Sequence, residues 1–73
     1  MTDFVFIDSG TGGIPYLLHL KNYLPQANCV YVGDTKNFPY GTKSSEEIIK
    51  CVTSLVQKII EKFNPLVIVV ACN

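Results

Sequence analysis

The chain has 73 residues, 48% hydrophobic and 16% charged, a globular composition sized for one small domain. A domain this short buries only about 60% of the surface its unfolded chain exposes, so its core is small. Six basic residues balance six acidic ones, which gives no electrostatic case for nucleic acid or an anionic membrane as partner.

The first residues, Met-Thr-Asp-Phe-Val-Phe-Ile-Asp, lack the basic start and long apolar core of a signal peptide. Apolar runs fall well short of the ~20 residues of a membrane span. Cys29, Cys51 and Cys72 are an odd count without CxxC spacing. That argues against a disulfide framework and a structural zinc site, and the expected compartment is the cytoplasm.

Phe4–Ile7 is a compact apolar run ending at Asp8, and a strand is expected over about 3–8. Asp8-Ser9-Gly10-Thr11-Gly12-Gly13 follows, and its glycines permit a tight turn. Ile14, Leu17, Leu18, Leu20 and Leu24 then recur at roughly helical spacing, predicting a helix over about 13–24. Pro15 fits only a first helical turn, so the helix starts near Gly12 or Gly13. The free N–H groups of such a start can hold an anion.

Cys29-Val30-Tyr31-Val32 is a second apolar run, with a strand expected over about 28–33 and Gly33-Asp34-Thr35 at its end. The intervening segment is long enough for a helical crossover, so the two strands should be parallel. Lys36 to Lys43 reads as a loop, with Phe38 and Tyr40 as candidate pocket walls. Ser44-Ser45-Glu46-Glu47 is a capping box opening a helix over about 45–63. Ile48, Val52, Leu55, Ile59 and Phe63 mark its apolar face, and Asn64-Pro65 ends it. Leu66 to Ala71 is an unbroken apolar run suited to a strand covered on both faces, expected over about 66–72.

The order is βαβαβ, half of a doubly wound α/β domain with a parallel sheet. In such sheets chemistry collects at the carboxyl ends of the strands. Asp8-Ser9, Asp34-Thr35 and Cys72-Asn73 should therefore share one rim, beneath the Pro39–Gly41 loop. Each has a plainer reading. Asp8 and Asp34 are also turn-forming residues, and Cys29 and Cys51 read as core fillers. His19 reads as a surface residue of the first helix.

The glycine turn is neither GxGxxG nor a P-loop. Its Asp-x-Gly-Thr resembles the phosphate-binding turn of the actin-like ATPases, although there the turn leads into a strand and here into a helix. A nucleotide-binding domain is the alternative that this resemblance keeps open.

Taken together, Asp8–Gly13, Gly33-Asp34-Thr35, Pro39-Tyr40-Gly41-Thr42-Lys43 and Ala71-Cys72-Asn73 closely resemble the N-terminal part of the glutamate racemases. The resemblance spans the chain with all four motifs in order. It implies a two-domain α/β enzyme without a cofactor that interconverts L- and D-glutamate for peptidoglycan and cell shape. The chain would be the first part of domain one, inactive alone, with the rest of that domain and all of the second beyond Asn73. Each domain supplies one cysteine. The resemblance makes Cys72 the catalytic thiol on the D-glutamate side and Asp8 the carboxylate that assists it. It places Asp8, Ser9, Pro39, Tyr40, Gly41 and Asn73 around the substrate, implies no metal, and leaves a homodimer open for the complete enzyme. An aspartate-type racemase is the near alternative. Inversion at an amino acid α-carbon without a cofactor needs a base on one face and an acid on the other. A thiol, with an ordinary pKa of about 8.5, can serve in either state.

Overall fold

The computed structural model describes residues 1–34 and 40–71, Tyr40 by its backbone. Strand β1 (Phe4–Asp8) feeds helix α1 (Ile14–Tyr23), which returns to β2 (Cys29–Gly33). A 3-10 turn at Tyr40–Thr42 precedes α2 (Ser45–Phe63) and β3 (Val67–Val70). The three strands form one sheet in the order β2-β1-β3. Both pairings are parallel, as the crossover lengths require. This is the expected βαβαβ arrangement.

β1 is central because it is the strand whose side chains can be covered from both sides. Val5 and Ile7 are fully buried and Phe6 nearly so. Successive residues of a strand point to opposite faces. Val5 and Ile7 share one face with Val30, Val32 and Ile68, and α2 closes it with Ile59, Leu55, Val56 and Phe63. Phe6 and Asp8 point to the other face, where Tyr31 stands opposite Phe6 in the register. Because β2 and β3 flank β1 on opposite sides, right-handed crossovers put α1 and α2 on opposite faces of the sheet.

The local chemistry of α2 is complete. Ser44 Oγ accepts from the Glu47 N–H at 3.2 Å while Glu47 Oε1 accepts from the Ser44 N–H at 3.4 Å. Glu46 and Glu47 lie in the first turn and Lys62 in the last, both favourable to the helix dipole. Asn64 ends the helix in the left-handed region at φ 45°, which asparagine tolerates better than most residues, and its N–H donates to the Ile60 carbonyl. At the end of α1, Lys21 Nζ donates to the carbonyls of Pro25 and Ala27 at 2.9 and 2.7 Å, tying the helix to the turn that enters β2.

Helix α1 has no buried residue, and Ile14, Leu18 and Leu24 are exposed. One expectation differs from the structure in burial: β3 is not covered on both faces, with Val67 and Val70 about half exposed. Among the described residues it is an edge strand with β1 on one side only. The apolar run reports what the strand can bury, and covering it needs a neighbour that these residues do not include. Cys29 and Cys51 are half-buried free thiols.

Candidate functional site

The parallel registers bring three strand ends level. Asp8 pairs with Gly33, so Asp34 follows at the neighbouring position, and the Asp34 N–H donates to the Asp8 carbonyl at 2.7 Å. On the other side Ile7 pairs with Val70, and the Ala71 N–H continues the ladder to the Ile7 carbonyl at 2.8 Å. Asp8, Asp34 and Ala71 therefore stand on one rim. Asp8 and Asp34 are both buried.

The centre of that rim is the Asp8 carboxylate. Oδ1 accepts from the Ser9 N–H at 2.7 Å. Oδ2 accepts from the Gly13 N–H and from the Tyr31 hydroxyl, each at 2.5 Å. Gly13 is the N-cap of α1, so its N–H is one that the helix cannot satisfy internally. The glycine turn does bind an anion, and the anion is the chain's own aspartate. With Ser9 and Gly13 turned onto Asp8, a phosphate at this turn would meet a resident negative charge.

This environment favours the ionised carboxylate. The Tyr31 hydroxyl is the largest influence holding the Asp8 pKa below its ordinary value, burial opposes it, and the N–H groups of Gly13 and Ser9 add to the lowering. Tyr31 shifts upward, first because burial disfavours the phenolate and then because its proton is held by Asp8. Its oxygen also lies 3.1 Å from the Gly10 carbonyl and 3.2 Å from the Gly13 nitrogen, so the phenol bridges both ends of the turn.

Gly13 is where a side chain would not fit. A Cβ there would stand 2.8 Å from Ala71 Cβ, 2.9 Å from Asp8 Oδ2 and 3.1 Å from Tyr31 Oη. The glycine thus lets the start of α1 touch the ends of β1 and β3 at once. Ala71 immediately precedes Cys72 in the sequence.

Of the expected site residues, Asp8 and Ser9 meet in this cluster. Gly41 lies on the exposed 3-10 turn with Tyr40 beside it in the backbone. Pro39, Cys72 and Asn73 lie outside the described residues, as do Thr35 and Phe38. Sequence reading missed Tyr31, which it placed within an apolar run. The signal available was a lone hydroxyl among Cys29, Val30 and Val32, two residues before the strand end. Among the described residues no three His, Cys, Asp or Glu side chains are grouped to hold a metal ion. A cleft of about 380 Å³ opens at the opposite, amino-terminal end of the sheet, lined by Phe4, Tyr23, Leu24 and Leu66 among others. It is apolar and remote from the carboxylate.

Fold and rim together define a parallel α/β unit with a buried carboxylate at the strand ends, the place where this class carries small-molecule chemistry. Comparison with known proteins narrows the class. The chain is 46% identical to glutamate racemase of Treponema pallidum over 70 residues, 96% of this chain and 26% of that protein. Glutamate racemase of Borreliella burgdorferi is 41% identical over 69 residues, 94% of the chain and 26% of the relative. Glutamate racemase of Clostridium acetobutylicum is 46% identical over 67 residues, 92% and 26% respectively. The family these relatives define is the glutamate racemases, and the chain matches it along nearly all of its residues. It spans about a quarter of the length of these curated relatives. No family model and no solved structure matches the chain.

Proposed function

We propose that these residues supply the first-domain half of a glutamate racemase site, acting in a longer two-domain enzyme whose second domain brings the other cysteine. The observation that carries this reading is the buried, ionised Asp8 on the strand-end rim, level with the Ala71 that leads into Cys72.

In this reading Cys72 as thiolate takes the α-proton of D-glutamate. The C–H electron pair stays on the α-carbon as a carbanion, and the second domain's thiol returns a proton to the opposite face, giving L-glutamate. The reverse reaction exchanges the two thiols' roles. Asp8 stays ionised and orients the Cys72 thiol by accepting its hydrogen bond. Ser9, Pro39, Tyr40, Gly41 and Asn73 surround the substrate, and donors at its α-carboxylate stabilise the developing carbanion. The reading calls for no cofactor. It places the enzyme in the cytoplasm, supplying D-glutamate to peptidoglycan, with a homodimer as one assembly open to it. Among the described residues no helix is long and apolar enough to cross a membrane.

The test is Cys72→Ser in the native gene product. Racemisation of both enantiomers should stop, with the circular dichroism spectrum unchanged. In heavy water the variant should no longer exchange the α-proton of D-glutamate. A variant that racemises at the wild-type rate refutes the role of Cys72. A product that turns over aspartate in preference to glutamate refutes the substrate.

A further inference from the structure

A carboxylate that assists a thiol must be ionised, must hold one rotamer, and must keep a lone pair for its partner. Each carboxylate oxygen can accept about two hydrogen bonds. In this site the two oxygens are loaded unequally. Oδ2 has two donors, the Gly13 N–H and the Tyr31 hydroxyl. Oδ1 has one close donor among the described residues, the Ser9 N–H at 2.7 Å, and the Gly10 N–H acts on the carboxylate more weakly than either Ser9 or Gly13. The Tyr31 side chain reaches this point from the neighbouring strand. Register places Tyr31 opposite Phe6, and the ring extends along the strand to Asp8.

We propose that Tyr31 is a positioning residue for catalysis: its hydroxyl fixes Asp8 through Oδ2 and so reserves Oδ1 as the oxygen that meets the thiol or the substrate ammonium. The inference rests on the racemase reading above for the reaction, but its geometry is independent of it. A backbone donor alone would hold Asp8 in place only as well as the turn holds itself. The phenol adds a donor mounted on a different strand, so the carboxylate is fixed against both β1 and β2. It also contacts the Gly10 carbonyl and the Gly13 nitrogen, so the turn and the carboxylate keep one arrangement. Among the described residues the other titratable side chain on this rim is that of Asp34, whose backbone N–H donates to the Asp8 carbonyl. Tyr31 touches no reacting atom in this scheme and acts through Asp8.

The experiment uses the native gene product, wild type and Tyr31→Phe, with ¹³C-labelled aspartate. Two readouts are taken. The Asp8 carboxyl resonance is titrated, and the pH profiles of kcat and kcat/KM are measured with D-glutamate. Expected is an upward move of the Asp8 titration midpoint, with the acid limb of kcat/KM moving the same way. kcat should fall by about tenfold or more, the scale of a mispositioned catalytic group, with KM changed less than about threefold. Replacing Tyr31 by 3-fluorotyrosine keeps a hydroxyl, and a more acidic one. It should restore kcat and move the Asp8 midpoint down.

Unchanged Asp8 titration and an unchanged acid limb in Tyr31→Phe overturn the proposal. If Tyr31→Phe does not fold, the fluorotyrosine protein decides: an Asp8 midpoint identical to wild type overturns it. A wild-type protein that does not racemise glutamate would sink the racemase reading instead. The Asp8 titration would still decide whether Tyr31 holds the carboxylate.

Discussion

Replacing Gly13 by alanine tests the central claim that helix, strand ends and carboxylate meet at one point. The backbone there has φ −87° and ψ −7°, which alanine adopts freely. On conformational entropy alone the substitution would stabilise the protein by about 0.4–1 kcal/mol. The new methyl, however, would lie 2.8 Å from Ala71 Cβ and 2.9 Å from Asp8 Oδ2. Neither neighbour is the far end of a long flexible side chain. Forcing a methyl into such a contact costs about 1–3 kcal/mol. Relief by moving Asp8 weakens its bond from the Gly13 N–H, and hydrogen bonds to charged groups contribute about 1.5–3 kcal/mol when intact. The steric and polar losses are alternatives more than a sum, so the expected net loss is about 1–3 kcal/mol. Gly10→Ala is the internal control, since a Cβ there meets nothing within 4 Å and no described glycine has positive φ. Urea unfolding of both variants and wild type, with a common m-value, measures the difference. Gly13→Ala should unfold at lower urea than wild type, and Gly10→Ala within about 0.5 kcal/mol of it or above. Equal midpoints for the two alanine variants would refute the close approach.

Two further outcomes follow from the hydrogen bonds. Ser44→Ala removes the acceptor that closes the capping box of α2 and should lower stability by about 1 kcal/mol, read as a lower thermal midpoint. Stability should also depend on pH at both extremes. The Asp8 pKa in the folded protein lies below its ordinary 3.8, so its contribution is present above pH 3.8 and lost as pH falls through the folded value. The Tyr31 pKa lies above its ordinary 10.0, so its contribution is present below pH 10.0 and lost as pH rises towards the folded value. Urea midpoints across pH should show both slopes. Asp8→Asn should flatten the acid one, and Tyr31→Phe the alkaline one.

How much was legible in the residues depends on the range of the interaction. The capping box, the proline in the first turn of α1 and the Asn64-Pro65 stop act within a few positions, and they set helix starts and ends that the structure retains. The parallel sheet followed from crossover length. Asp8 was legible as a candidate because it ends an apolar run and opens a glycine turn. Its state was not, because that depends on Tyr31, 23 residues away. Only the Phe6–Tyr31 register brings the phenol within reach, and nothing local specifies a register between two apolar strands. Gly13 was read for its freedom to turn, whereas its backbone is ordinary and its use is steric. The turn was expected to offer its N–H groups to a ligand, and two of them are occupied by the preceding aspartate. Pro39, Cys72 and Asn73 remain proposals that rest on the resemblance.

The edge position of β3 has a consequence for handling the protein. Leu66 to Val70 are five apolar residues, three of them valines, with no charge or proline among them. Charged or proline gatekeepers are what usually keep such a segment from pairing with its own kind. Here Pro65 guards only the entrance. These residues produced alone would present a flat, β-branched template along an open ladder, the pattern from which strand-paired aggregates nucleate.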